Sequence, residues 1–565
     1  MRPTDFFQSA TRYIEQDLRA DLGAGLALAA VAVPSQMATA HLAQFQPAAG
    51  FIAFAAASAG FALIGANPFV VACADSTIAP IFAGGLAAVV GAGSPSYPAL
   101  CASFALMCGV ILLCCGLFRL ERIADLVSKP VTLGFLAGIA CHIVVSQLPS
   151  LLGLSAPRGE LLQQASAIAG RLGETNRFSL LLGLTVFAVT VCSEWISPRI
   201  PGALLGLIAA TIAVYWFGLE GNGVAVLGAI PGVFPQLHIP SVQFEDLLQA
   251  TPLAFVVVAF MMVQTAATTR EFPPPARGAP LIDHDFAGVG AANVVAGFFG
   301  AFPVNASPPL TGIAAESGAR SKFASLAAAA LILGLAGYGT ALFAHVPTAA
   351  LAGTLLFVAM RLVRLGEIAA IFQRAPGEFL LIVATVTAIV VLPVGTGVAA
   401  GIVLSLLHGL WTMTNTRLIV FERVPGTSIW WPPNPALKGE TIEGVLVLAF
   451  QAPLSFLNAY KFEEGARRAL KRNRIPPDLI VLEASGIAEI DFTAAQILLD
   501  LIQEWQASKI TFAIARLESV RATQAVDRFG ITRAVSPDHF FRSVDEAIKV
   551  LAKNSKKTNE FRKEP

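Results

Sequence analysis

Two stretches of this chain bring hydroxyls and a carboxylate together with proline and small residues inside otherwise apolar sequence. The first is GANPFVVACADSTIAP, Gly65 to Pro80, and the second is GAFPVNASPPLTGIAAE, Gly300 to Glu316. Aligned from Gly-Ala, they set Pro68 on Pro303, Ser76 on Thr311, Ile78 on Ile313 and Ala79 on Ala314. Each reads as an extended run through proline that turns into a short apolar helix. Cys73, Ala74, Asp75, Ser76 and Thr77 fall in the first turn of one, and Asn305, Ala306 and Ser307 in that of the other, with Leu310 and Thr311 following. A helix start offers unpaired N–H groups and about half a positive charge. Two starts aimed at one point would hold a small anion without a full cation, and let it leave. Ser76, Ser307 and Thr311 are hydroxyl donors for such an anion, or else caps of the helix ends. Gln36 and Gln264 each follow a run of small apolar residues and read as donors to a substrate oxygen or as interhelical bonds.

The elements that must position these residues are membrane spans. Of 565 residues, 55% are hydrophobic and 13% charged, where soluble domains carry roughly 25% charged residues. Apolar runs place spans near 22–42, 48–65, 70–82, 99–118, 123–147, 178–196 and 201–217. A second set lies near 247–269, 286–301, 306–317, 321–344, 349–363, 377–394 and 397–416. The third of each set is about half the roughly 20 residues a span needs. Broken helices at membrane depth survive only under the cover of protein or a cavity, and paired ones in two halves point to a transporter's binding site.

Lys and Arg sort with this count. Arg119, Arg122, Lys129, Arg199, Arg270, Arg277, Arg320, Lys322, Arg361, Arg364 and Arg374 fall in the loops of one side, and only Arg158, Arg171 and Arg177 in those of the other. The positive-inside rule then puts both termini in the cytoplasm, with the chain multi-pass in the plasma (inner) membrane among its lipids. Residues 1–21 mix charge with Phe6, Phe7, Tyr13 and Ile14, the pattern of an interfacial helix rather than of a leader peptide.

Charge returns after about Arg417. From Val445 strands alternate with amphipathic helices: VLVLAF, then NAYKFEEGARRALKR, DLIVLEASG, AAQILLDLIQEWQAS and ITFAIAR, with helices around Val520–Phe529 and Val544–Leu551. This is a small α/β domain. The organisation expected is a cytoplasmic segment 1–21, a membrane domain 22–416, a linker 417–439, an α/β domain 440–553 and a disordered tail 554–565. The seven cysteines lie in or beside apolar stretches and form no CxxC pair, so neither a zinc site nor a disulfide framework is expected. No basic cluster suggests nucleic acid, and no phosphate-cradling loop or nucleophile–base pair suggests an enzyme or a cofactor.

Several motifs in order resemble one family: AVAVPSQMATAHLA in the first span, Ala124–Leu154, IPGALLG at Ile200–Gly206, GAANVVAGFFGAFPV at Gly290–Val304 and RVPGT at Arg423–Thr427. The chain is similar over nearly its whole length to the SulP anion transporters, solute carrier family 26. PLSFLNAYKF and ASGIAEIDFTAA resemble a STAS domain. The resemblance implies an all-α membrane domain of fourteen segments in two inverted repeats of seven, divided into core and gate, followed by the α/β STAS domain. It also implies a homodimer and elevator-type transport of an anion held between the third and tenth helices.

The departures bear on chemistry. In many relatives the tenth helix begins Ser-Arg-Thr-Ala, and here the Arg position is Leu310. In many relatives the eighth helix carries Glu-Ser, and here Gln264 and Thr265 stand at those places. Asp75 is the ionisable group that remains. Either it caps its helix or it replaces the lost acid and carries a proton with the anion. Asp491, followed by Phe492, lacks the Ser of the phosphorylated anti-sigma antagonists. The expectation is a secondary transporter of a small anion, such as sulfate, bicarbonate or a small dicarboxylate, with H+ or Na+ as coupling ion. An uncoupled channel or exchanger is the alternative, and a nucleobase permease a more distant one.

Overall fold

Prolines start many of the helices in the computed structural model. It describes residues 17–552 apart from 92, 158, 198–199, 229–235, 275–280, 339–342, 436–437 and 474–475. The interfacial segment expected at residues 1–16, the tail after 552, and Arg158, Arg199 and Arg277 of the charge partition lie outside these. The chain divides into two units, Met1–Leu406 and Leu407–Pro565.

The first unit runs α1 (Leu18–Leu42), α2 (Pro47–Ile64), β1 (Ala72–Cys73), α3 (Ala79–Val90), α4 (Tyr97–Leu117), α5 (Lys129–Leu152), α6 (Leu161–Gly170), α7 (Arg177–Ile196) and α8 (Gly202–Phe217). It continues with α9 (Phe244–Glu271), α10 (Ile282–Phe298), β2 (Asn305–Ala306), α11 (Pro308–Glu316), α12 (Phe323–Tyr338), α13 (Thr348–Leu362), α14 (Leu365–Arg374), α15 (Pro376–Val391) and α16 (Val394–Thr414), which crosses into the second. Setting aside the amphipathic α6 and α14, this is seven segments followed by seven, with a half-helix third in each. Among the described residues, seven of these helices are long and apolar enough, by length and composition, to cross a membrane. Prolines occupy N1 or N2 of α2, α3, α4, α5, α11 and α15, where the missing N–H costs nothing and the fixed φ suits the helix. Gly153 and Gly218 end α5 and α8 in the left-handed conformation.

Two packing groups form. One joins α2, α4 and α10, with α1 and α12 against them; the other joins α5, α7, α13 and α15, with α8 on α7. Small residues set the spacing in the first. A Cβ on Gly109 would lie 2.8 Å from the Gly290 carbonyl oxygen, and one on Gly290 2.7 Å from the Leu113 nitrogen, so α4 and α10 touch backbone to backbone. The connections after α8 and after α12 pair beside each other. Leu227 N donates to Val346 O at 3.0 Å and Thr348 N to Ala225 O at 3.0 Å, and His345 Nδ1 meets Glu220 Oε1 at 2.6 Å. The outward surfaces of α7 and α8 expose Trp195, Tyr215, Trp216 and Phe217, large side chains that suit a membrane surface.

The second unit holds a five-stranded sheet of order β3-β6-β7-β8-β9: Leu418–Val420, Val445–Phe450, Leu479–Glu483, Thr511–Ala515 and Phe540–Phe541. β3 is antiparallel to β6, and the remaining pairs are parallel. β4 (Glu422–Arg423) and β5 (Trp430–Trp431) form a separate hairpin. Helices α17 (Ala459–Arg472) and α18 (Phe492–Ala507) belong to the core of one face, and α19 (Val520–Arg528) and α20 (Ile531–Val535) complete it. α21 (Val544–Leu551) covers the other face with Phe421 and Trp430. Asp491 caps α18, accepting from Ala494 N at 2.9 Å and from Phe456 N at 2.6 Å. Strand β3 and the β4–β5 hairpin are too short to carry a period-2 signal in the sequence.

Several expectations are corrected. The third half-helix, read at 70–82, begins at Ala79. The β-branched run Val70-Val71 stays extended into β1, and Pro80 suits the second position of a helix rather than its interior. The fifth span, read at 123–147, runs from Lys129 to Leu152, because Pro130 again marks the start. Arg320 of the charge partition bonds Asp17 at 2.6 Å, and the buried Asp21 carboxylate accepts from Arg320 N, Ser321 N and Ser321 Oγ. Arg361 lies in the last turn of α13, and Glu367 on α14 pairs with Lys129 at 2.7 Å. Cys73, Cys101, Cys108 and Cys115 are buried, whereas Cys114, Cys141 and Cys192 lie on helix surfaces.

Candidate functional site

β1 and β2 cross at the centre of the first unit as an antiparallel pair, Ala72 opposite Ala306 and Cys73 opposite Asn305. Two extended segments from the two repeats thus meet before each turns into its half-helix. Cys73 and Ala74 consequently sit in or beside a strand, not in a first helical turn, and Asp75 and Ser76 sit in the turn that leads to α3. Outside regular structure a buried backbone must find its partners elsewhere, and amide side chains supply them. Gln36 on α1 donates to Ala74 O at 3.1 Å and accepts from Ala74 N at 3.0 Å. Asn293 on α10 treats Val304 the same way, at 2.8 Å and 3.0 Å. Gln36 is therefore a backbone clamp, with one amide hydrogen left over.

Gln264 on α9 joins the two segments. Its Nε2 donates to Asp75 Oδ2 and to Ala306 O, the latter at 3.0 Å. Asp75 Oδ1 accepts from Thr77 N at 2.8 Å, an Asx-turn that opens the way into α3. Thr77 Oγ1 lies 2.8 Å from Asp75 Oδ1 and 2.9 Å from Gln264 Oε1. A hydroxyl has one hydrogen, so an ionised carboxylate leaves two acceptors to share it. A proton on Asp75 completes the chain: Asp75 donates to Thr77, and Thr77 donates to Gln264. No ion pair reaches Asp75 among the described residues, which is 6% exposed.

The second half-helix presents fewer donors than its position alone promises. Pro308 and Pro309 occupy its first two places and carry no N–H, so Leu310 supplies the remaining backbone donor of that turn. Ser307 N is taken by Val71 O at 2.9 Å. Thr311 Oγ1 accepts from Val71 N at 3.1 Å, which leaves its hydroxyl hydrogen to donate. Asn305 is fully buried, and its Nδ2 has no hydrogen-bond partner; its Oδ1 lies 3.4 Å from Thr265 Oγ1. Buried amide donors are almost always satisfied, and this one is an exception.

The structure thus brings Gln36, Cys73, Ala74, Asp75, Gln264, Thr265, Ser307, Leu310 and Thr311 into one buried region, with Ser76 half-buried beside them. Thr77 and Asn305 lie within the two stretches, but the sequence alone assigns no role to them or to Asn293. Their signal was positional: hydroxyl and amide residues flanking two matched Pro-interrupted stretches. Asp285 was also passed over. It is buried and accepts from Ala66 N, Asn67 N and Thr269 Oγ1, which pins the entry to the first stretch against α9. Among the described residues no group of three His, Cys, Asp or Glu could hold a metal ion.

The sequence matches the family model described as the sulfate permease family over residues 18–385 and the STAS domain model over 436–547. A probable sulfate transporter of Mycobacterium tuberculosis is 31% identical over 545 residues, 95% of this chain and 96% of that one. A putative sulfate transporter of Bacillus subtilis is 24% identical over 94% and 98% of the two chains. The fold is that of the murine solute carrier 26 family member A9 anion transporter, with TM-score 0.87 at 17% identity over 97% of this chain and 95% of that one. The transmembrane domain of a cyanobacterial bicarbonate transporter aligns with TM-score 0.61 at 22% identity, over 68% of this chain and all but 2% of its own. With two inverted repeats, a broken helix in each and an α/β unit following in sequence, the chain belongs to the sulfate permease family of multi-pass membrane anion transporters and carries a C-terminal STAS domain.

Proposed function

We propose that this protein is a secondary active transporter that moves a small anion together with a proton, the anion held where β1 and β2 cross and the proton held on Asp75. The observation that carries the reading is the Asp75–Thr77–Gln264 chain, which lacks one hydrogen when the carboxyl is ionised. An ionised Asp75 repels an anion at this spot and a protonated one does not, so the two bind together. Asn305 Nδ2, the Leu310 N–H and the Thr311 hydroxyl are the donors. Gln264 stands where many relatives have an acid, and Asp75 takes over that acid's work from the facing helix.

The division into two packing groups supports an elevator motion, with the paired connections after α8 and α12 as the joints. Both termini lie in the cytoplasm, the chain works as a homodimer, and the STAS domain regulates or assembles it. Radiolabelled uptake into proteoliposomes across a panel of chloride, nitrate, hydrogencarbonate, formate and sulfate, with empty liposomes subtracted, tests the coupling. Accumulation above equilibrium only under an inward proton gradient supports it. Flux that never exceeds equilibrium favours the uncoupled channel or exchanger, the reading to which neutral Gln264 lends weight.

A further inference from the structure

One helix of the second repeat holds the entry to both broken segments. We infer that α10 is the frame that fixes how the two half-helices stand to each other, with Asp285 and Asn293 as its positioning residues; this rests on the reading of the β1–β2 crossing as the anion site. The two residues stand eight positions apart, about 12 Å along the helix, and both are fully buried. Neither is among the donors proposed for the anion. Asp285 Oδ1 accepts from Ala66 N at 2.8 Å and from Asn67 N at 2.9 Å, and Oδ2 from Thr269 Oγ1 at 2.8 Å. Asn67 passes the constraint on, accepting from Phe69 N at 3.0 Å and donating to Phe272 O at 2.8 Å. About one turn along α10, a Cβ on Gly288 would lie 2.6 Å from Gly65 Cα, so helix and segment touch backbone to backbone. On the other side of this break, the Ala62 and Gly65 carbonyls accept from Lys322 Nζ at 2.9 Å and 2.5 Å. Asn293 does the corresponding work on the second segment, bonding both polar groups of Val304, the residue directly before Asn305.

Such a frame is needed because the strands are too short to hold their own register. β1 and β2 have two residues each, and even a full two-stranded ladder is marginal alone. A slip of one residue turns every side chain to the opposite face, which would take Asn305 out of the site and Cys73 away from it. α10 is itself fixed on the first repeat: a Cβ on Gly60 of α2 would lie 2.6 Å from Ala292 Cα, and Gly290 meets α4 in the same way. Both segments therefore travel with α10 as one body. The two positioning residues differ in what they meet. Asp285 faces three donors, so an amide in its place can accept both N–H groups with its oxygen and donate to the Thr269 hydroxyl oxygen with its nitrogen. Asn293 faces one donor, Val304 N, and two acceptors, Val304 O and Val289 O. A carboxylate there repels both carbonyls.

Thiol labelling of the full-length chain, resolved cysteine by cysteine in a mass spectrometer, tests the frame. Cys73 lies on β1, while Cys101 and Cys108 are buried on α4 and report general loosening. Asp285→Ala and Asn293→Ala are expected to raise the labelling rate of Cys73 by about tenfold or more, through local opening of the strand, with Cys101 and Cys108 unchanged. Asp285→Asn is expected to restore the protection of Cys73, and Asn293→Asp to leave it lost. That conservative pair carries the same contrast where an alanine variant is not recovered as a monodisperse chain. In proteoliposomes, across chloride, nitrate, hydrogencarbonate, formate and sulfate, KM for a transported anion should rise roughly tenfold in the alanine variants with the maximal rate little changed. Cys73, Cys101 and Cys108 becoming reactive together overturns the inference, because the two residues then only stabilise the fold. A Cys73 that stays protected in every variant overturns it as well, because the strands then hold without α10. Opening of Cys73 alone with KM unmoved leaves the frame standing and removes the crossing as the anion site.

Discussion

Gln264 donates to the Asp75 carboxyl across the boundary between the two repeats, and the same nitrogen donates to Ala306 O. One side chain on α9 thus reads the state of the turn before α3 and holds the strand before α11. Whatever moves or neutralises Asp75 is felt on both sides of the site. This coupling needs no rearrangement of the helices, because the partners are already in contact.

The two amide groups around the site are expected to behave differently when truncated. Gln36→Ala leaves the buried Ala74 N–H without a partner, at about 1–3 kcal/mol, and its C=O with the weak Cys73 thiol donor alone. The melting temperature should fall with transport. Asn305→Ala removes a donor that has no protein partner, so stability should hold while anion affinity drops roughly 10- to 100-fold, the worth of a hydrogen bond to a charged group. Thermal unfolding and binding, measured on both variants, separate the roles.

The α4–α10 contact should tolerate nothing larger than glycine at Gly290. Gly290→Leu forces side-chain atoms against the Leu113 backbone, an overpacking worth about 1–3 kcal/mol or more. Gly334 on α12 has nothing within 4 Å of its missing Cβ, so Gly334→Ala should leave the melting temperature unchanged or slightly higher. Fluorescence-detected size exclusion after heating compares the two.

In the STAS unit, Asp491→Ala removes the cap of α18 and the acceptor for Phe456 N. The expected loss is about 1–2 kcal/mol, read as a lower unfolding midpoint of that unit. Asp491→Asn should recover most of it, because either side chain can accept from Ala494 N.

Much of the architecture was legible because membrane spans announce themselves by length and by their basic ends. The number and order of segments followed from apolar runs, and the half-helices from proline placed at matched positions. The start of α3 was misread because Phe69 to Ala74 is apolar enough to continue a span, while its extended conformation is set by the strand paired with it some 230 positions away. Pairing over such separations leaves no local periodicity. For the same reason the sequence gathered these residues but not their partners. Gln36 and Gln264 looked alike, yet one clamps a backbone and the other meets a carboxyl. Asn305 lay in view as part of the second stretch, and what distinguishes it, an unpaired buried amide, exists only once the neighbours are in place.

Uptake by the unaltered chain and by Asp75→Asn, side by side in proteoliposomes with the external solution acidified in steps, tests the central claim most directly. The account expects uptake by the unaltered chain to rise as external pH falls and to exceed equilibrium under the gradient. The variant should keep a finite flux that neither responds to pH nor accumulates. An Asp75→Asn chain that still accumulates anion with the same pH dependence would place the proton elsewhere and reduce Asp75 to the turn that begins α3.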